Sequence, residues 1–118
     1  MTPANRPQTA PKHLRAATRR WWQSVVGDFL LEPHHVKLLT LAAEAWDRCQ
    51  QARELLDAEG LTYLDRFHAP RARPEVAVER DSRIAFARLL RELGLDIEAP
   101  AETPRAATVQ GAHHRRAV

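Results

Sequence analysis

The chain carries one cysteine, Cys49, in 118 residues; a single thiol excludes both an internal disulfide and a multi-thiolate metal site. Its plain role is that of a small buried apolar side chain. Glycine is also scarce, with four residues, none spaced as in a phosphate-cradling loop, which excludes nucleotide hydrolysis of the P-loop kind. Aromatic residues make up 6%, so a core must be built mainly from Leu, Ala and Val, a composition suited to packed helices. No apolar run approaches the roughly 20 residues that span a bilayer, and no signal-like stretch opens the chain. A soluble intracellular protein without a membrane partner is expected. Converging carboxylates of the kind a metal nuclease needs are missing too. The acids fall mostly on expected helix surfaces, where Glu44 with Arg48 and Glu79 with Arg83 have the four-residue spacing of ordinary ion pairs. His34 adjoins His35 and His113 adjoins His114, but neighbouring residues on a helix diverge, so neither pair chelates well. The expectation is a protein that is not an enzyme and uses no cofactor and no metal.

What the chain does have is a segregated charge. Residues 1–27 hold Arg6, Lys12, Arg15, Arg19 and Arg20 with no acid, and residues 105–118 hold Arg105, Arg115 and Arg116 with none, giving +5 and +3. The intervening residues carry the other 10 basic residues against all 15 acids, a charge of −5. Basic ends around an acidic middle suit contact with a polyanion, because Lys and Arg near phosphates release condensed counterions without needing a shaped site. Short basic tails that only aid solubility are the plainer alternative.

The periodicity points to one all-α domain of three helices. Residues 1–13, with Pro3, Pro7 and Pro11, cannot bury enough surface to offset the entropy of ordering and are expected to form a flexible basic arm. From Leu14, the residues Leu14, Ala17, Trp21 and Val25, then Trp22, Val26 and Phe29, recur at helical steps, with Arg15, Arg19 and Arg20 outward. A long central helix is expected from Pro33, whose fixed φ suits a first turn, to about Glu59. Its seam of Leu38, Ala42, Ala45, Cys49, Ala52 and Leu56 alternates steps of four and three, and mostly small side chains would let a neighbouring helix approach closely. Gly60 and Gly94 stand where helices end, and Leu61 and Leu95 after them should pack back as in Schellman caps, the first onto Leu56. The last helix should start at Pro74, with Glu75 and Glu79 near its positive end and Ile84, Phe86, Ala87, Leu90 and Leu93 on its buried side. Leu61 to Arg73 holds β-favouring residues around a polar turn and should form a short β-hairpin or an irregular loop. The domain therefore covers residues 14–95, and residues 96–118 should be a disordered basic tail.

The order of these elements resembles a known family. Pro11-Lys12-His13-Leu14 before the first helix, the paired Trp21 and Trp22, and the long Ala-rich second helix are similar to the small terminase subunits of tailed phages and prophages. So are Glu59-Gly60-Leu61-Thr62, then Asp65-Arg66 and a basic Pro-containing turn, then Val78-Glu79-Arg80-Asp81-Ser82-Arg83, and the run from Phe86 to Gly94-Leu95. The resemblance covers about residues 11–96 and rests on helix boundaries and caps, not on a catalytic signature. Two positions depart from it: His68 stands where members often have Gly, and Arg73 where they often have His before proline. The resemblance implies a non-catalytic subunit in the bacterial host cytoplasm that forms a ring, engages double-stranded viral DNA, and modulates the terminase large subunit, which holds the ATPase and nuclease.

Within that frame, Arg6, Lys12, His13, Arg15, Arg19 and Arg20 are the expected phosphate-contacting set, since an arm followed by a basic helix face is a common way to track a backbone. Arg71 and Arg73 form the alternative. Each copy offers few charges, so binding by one copy should be weak and salt-dependent, and a ring would strengthen it by multivalency. No helix-turn-helix recognition helix is legible, so base contacts are not assigned. The expected subunit interface is Leu38, Ala42, Ala45, Trp46, Cys49 and Ala52; the alternative is that this seam lies wholly inside a three-helix monomer. A competing function is a small dimeric DNA-binding transcriptional regulator or antitoxin, and a third is a helical adaptor with no nucleic-acid role.

Overall fold

The computed structural model describes residues 8–95. The first seven residues, including Arg6, and the tail from residue 96, with its three arginines and His113 and His114, lie outside the described residues. Three helices follow one another, α1 (Ala16–Asp28), α2 (Pro33–Glu59) and α3 (Pro74–Leu93), with strands β1 (Thr62–Leu64) and β2 (Pro70–Ala72) between the last two. The all-α class with a hairpin before the last helix is as expected. α1 and α3 both run antiparallel to α2: from its start onward α1 meets Asp47 and then Thr40, while α3 meets Cys49 and then Trp46.

α2 begins where Pro33 can occupy the first helical position without wasting an N–H, and the Glu32 N–H before it donates to His35 Nδ1 at 3.1 Å. Its inner face buries Leu39, Ala42, Ala43, Cys49 and Ala52. Small side chains dominate that face, so α3 lies close along it. The core gathers Ala10, Leu14, Trp22, Val25, Leu39 and Ala43, with Leu93 and Leu95 from the end of α3 packed against it. The indole N–H of Trp22 is satisfied by Thr40 Oγ1 at 3.2 Å, as a buried donor requires.

The two glycine caps differ. At Gly94 the backbone is left-handed (φ 77°, ψ 13°), its N–H reaches the Arg91 carbonyl, and the Leu95 N–H reaches Leu90 at 2.9 Å. These are the bonds of a Schellman motif, and Leu95 packs inward as expected. At Gly60 φ is 88° but ψ is 175°. The chain leaves the helix extended and enters β1, so Leu61 does not fold back on Leu56 and stays exposed. The buried side of α3 also differs in phase from the expected one. Glu79, Phe86, Leu90 and Leu93 face inward, whereas Ile84 and Ala87 point to solvent, because at about 3.6 residues per turn both lie well to one side of the stripe that runs from Glu79 through Phe86 and Leu90.

The start of α1 shows a further difference. Leu14 is buried but precedes the helix, in a turn closed by its N–H on the Pro11 carbonyl. Residues 8–13, expected to belong to the arm, lie against α1: Ala10 is buried and its N–H donates to Gln23 Oε1 at 2.7 Å, while Gln23 Nε2 donates to the Gln8 carbonyl. Arg15, the residue before the first helical position, has no side chain able to cap its own helix. The cap comes from α2. The buried Asp47 carboxylate accepts the Arg15 N–H at 2.8 Å and the Thr18 hydroxyl on its other oxygen, at the end of α1 where the helix dipole favours a negative charge.

The hairpin pairs Thr62 with Ala72, Tyr63 with Arg71 and Leu64 with Pro70. Asp65 organises its loop: Oδ1 accepts the N–H groups of Phe67 and Ala69, and its carbonyl accepts that of His68 at 2.9 Å. His68 then adopts φ 63°, giving a three-residue loop that ends in a left-handed residue. A glycine meets that demand without the steric cost a side chain brings.

Two thermal-unfolding outcomes follow. Asp47→Ala leaves a buried hydroxyl and an N–H without an acceptor and should lower stability by about 1–3 kcal/mol. His68→Gly should raise it by about 0.5–1 kcal/mol.

Candidate functional site

The amino-terminal cations divide into those the fold consumes and those it leaves. His13 Nε2 meets Glu44 Oε2 at 2.7 Å. Arg15 makes two guanidinium bonds to Glu54, at 2.8 and 2.9 Å. Arg19 donates back to the carbonyls of Lys12 and Leu14, bracing the turn before its own helix. Lys12 and Arg20 are exposed and, among the described residues, have no acidic partner. In the hairpin, Arg71 Nε pairs with Asp65 at 2.9 Å. Arg73 lies 3.8 Å from Glu59 and over the Tyr63 ring, and its buried Nε makes no hydrogen bond. The expected phosphate set is thus not one uniform patch: His13, Arg15 and Arg19 hold α1 and the preceding turn in place, and Lys12 and Arg20 face solvent.

The ion pairs beyond this set depart in part from their expected partners. Glu79 is held by Arg83, four residues on, as expected, and also by Arg53 of α2 at 3.1 Å. Glu44, by contrast, is taken by His13, and Arg48 donates to Gln51 at 2.8 Å. Three carboxyls lie below their ordinary range: Glu79, chiefly through the Arg83 hydrogen bond and then Arg53; Glu54, through Arg15; and Asp65, through the Ala69 N–H and then Arg71. Lys37 of α2 is another exposed cation without an acidic partner among the described residues. The pattern reading passed over it, although a signal was present. Lys37 has no acid three or four residues away on either side, and Arg20 shares this property.

The expected subunit interface is largely internal. Ala42, Cys49 and Ala52 are buried by the chain's own helices, with the Cys49 sulfur 3.7 Å from the Glu79 carbonyl oxygen, and Leu38 and Ala45 are half-buried. α3 packs along this seam beside Cys49. Trp46 remains 42% exposed. Its ring meets Phe86 of α3 at 5.1 Å between centroids, and Phe86 in turn meets Trp21 of α1 at 5.8 Å. These three rings with Ala17 and Thr18 line an open cleft of ≈ 350 Å³. The hairpin is the other apolar surface: Leu61 is 64%, Leu64 61% and Phe67 72% exposed, with Arg66 over one face of the Phe67 ring at 4.9 Å. Neither feature is visible in the sequence pattern, because periodicity does not report which apolar side chains the described residues leave uncovered.

Among the described residues, no helix is long and apolar enough to cross a membrane, and no group of three or more His, Cys, Asp or Glu could hold a metal ion. A family model described as phage terminase, small subunit, matches residues 17–108. That match spans most of the chain, and the chain belongs to the phage terminase small subunit family. It is therefore a component of phage genome packaging, from a family of generally non-catalytic subunits whose partners in the packaging motor include DNA and the large subunit. No curated protein and no solved structure gives a match.

The depressed carboxyls carry a pH signature. A folded-state pKa below the unfolded one contributes stability that is complete above the ordinary carboxylate range and is lost as pH falls through it. Comparing the melting temperature of the native chain with that of Glu79→Gln, the gap should be full above about pH 5 and shrink below about pH 4.

Proposed function

We propose that this chain is the non-catalytic, oligomeric DNA-engaging subunit of its packaging motor, and that it grips duplex phosphates through the cations its fold leaves unpaired. One observation carries this reading: within the cationic amino-terminal region, acids and carbonyls take up His13, Arg15 and Arg19, while Lys12 and Arg20 stay exposed and, among the described residues, unpaired. Arg6 and the carboxy-terminal arginines, outside the described residues, extend the same charge. No base contact is assigned to this set, and its contact with the backbone serves as an electrostatic grip whose strength comes from several copies acting together. In this role the chain presents viral DNA in the bacterial host cytoplasm to the terminase large subunit, which supplies the catalysis, and the assembly is a closed ring. A dimeric transcriptional regulator or antitoxin would instead bind as a two-fold pair on a short palindrome.

The test is the salt dependence of binding to a labelled duplex, read by fluorescence anisotropy. Replacing Lys12 and Arg20 together by Ala should weaken binding and reduce the slope of log K against log salt by about 1.8 for each engaged protomer. Arg15→Ala, which removes a side chain already taken by Glu54, should leave the slope close to that of the native chain. An unaltered slope in the double variant would sink the reading.

A further inference from the structure

The aromatic cleft and the hairpin tip are two unlike apolar surfaces, and neither is covered by the described residues. The cleft is lined by Ala17, Thr18, Trp21, Trp46 and Phe86. Its one hydroxyl, on Thr18, is already committed to Asp47, which leaves a lining that is mainly apolar and aromatic, with no charged side chain to orient a nucleotide or a cofactor. What fits such a lining is apolar side chains. The hairpin supplies them: Leu64 and Phe67 project at its tip, on strands of three residues that would be marginal in water without cover.

The tip does not fill the cleft of its own molecule: Phe67 is 72% exposed, whereas a ring seated between Trp21, Trp46 and Phe86 would be buried. We propose that the hairpin tip of one copy, with Phe67 leading and Leu64 beside it, inserts between Trp21, Trp46 and Phe86 of a second copy. The contact is heterologous: each copy gives a tip and receives one, so the chain of contacts closes as a ring when the rotation allows. An aromatic side chain contributes about 150–250 Å², so tip and cleft together bury several hundred Å², short of the ~1,200 Å² of a stable pairwise interface. One contact alone is therefore weak, and closure, in which every copy is held twice, is what makes the assembly persist. This inference rests on the oligomeric reading above and names its interface.

The experiment uses the full chain at tens of micromolar, with mass read by light scattering after size exclusion and helix content checked by circular dichroism. Phe67→Asp spoils the tip and keeps the cleft; Ala17→Trp, at an exposed position on the cleft wall, fills the cleft and keeps the tip. The native chain should run as a multi-copy assembly and each variant at the mass of one chain. An equimolar mixture of the two variants offers one good tip to one good cleft with no closure possible, so its mean mass should be read by static light scattering without a column at high concentration. There it should rise above that of either variant alone toward two chains. A native chain of single-copy mass would overturn both the oligomeric reading and the interface. A native assembly that both variants reproduce, or variants whose mixture stays at single-chain mass, would overturn the interface alone. The same holds if Ala17→Trp leaves the assembly intact but weakens binding to the large subunit, which would give the cleft to that partner.

Discussion

The Asp47 carboxylate holds the molecule to one arrangement. It sits buried on α2 and takes hydrogen bonds from the backbone of Arg15 and the side chain of Thr18, which caps a helix that has no cap of its own. A buried carboxylate is costly unless donors surround it, so α1 has one low-energy seating on α2. From that seating the rest follows. Trp22 and Val25 enter the core, Ala17 and Trp21 come beside Phe86 to complete a cleft, and Arg20 is turned to solvent. Arg15 strengthens the same clasp from outside through Glu54, although exposed ion pairs add little on their own.

The economy of charge is the second consequence. The cationic amino-terminal region and the acidic middle are not independent, because Glu44, Asp47 and Glu54 of α2 reach across to His13, Arg15 and Thr18. Part of the amino-terminal charge is thus spent on folding, and only the remainder is available to a polyanion. A count of charges along the chain therefore overstates the cationic surface that one copy presents to solvent.

Much of the fold was legible in local chemistry. Pro33 and Pro74 mark helix starts and Gly94 a left-handed stop, since each acts through its own backbone. Gly60 signalled a helix end correctly, but its extended ψ, which sends the chain into β1 and leaves Leu61 exposed, depends on the hairpin beyond it. His68 shows the same limit in reverse: its place in a turn was visible, and the left-handed conformation that explains why glycine suits this position was not. The site was less legible. Whether Arg15 faces DNA or an acid is decided by Glu54, thirty-nine residues away, and no pattern within α1 reports it. The seam of Ala42, Cys49 and Ala52 was read correctly as a close-packing face, yet periodicity alone does not say whether a helix of the same chain or of another copy will cover it.

The central claim is that one copy leaves apolar surface it cannot hide and cations too few to hold DNA, and that closing copies into a ring resolves both. Native mass spectrometry of the full chain tests this most directly, with and without a short duplex. The account predicts a single closed stoichiometry above two that takes up DNA without changing its subunit number. A monomer, a simple dimer, or an open series of sizes that grows with concentration would contradict it.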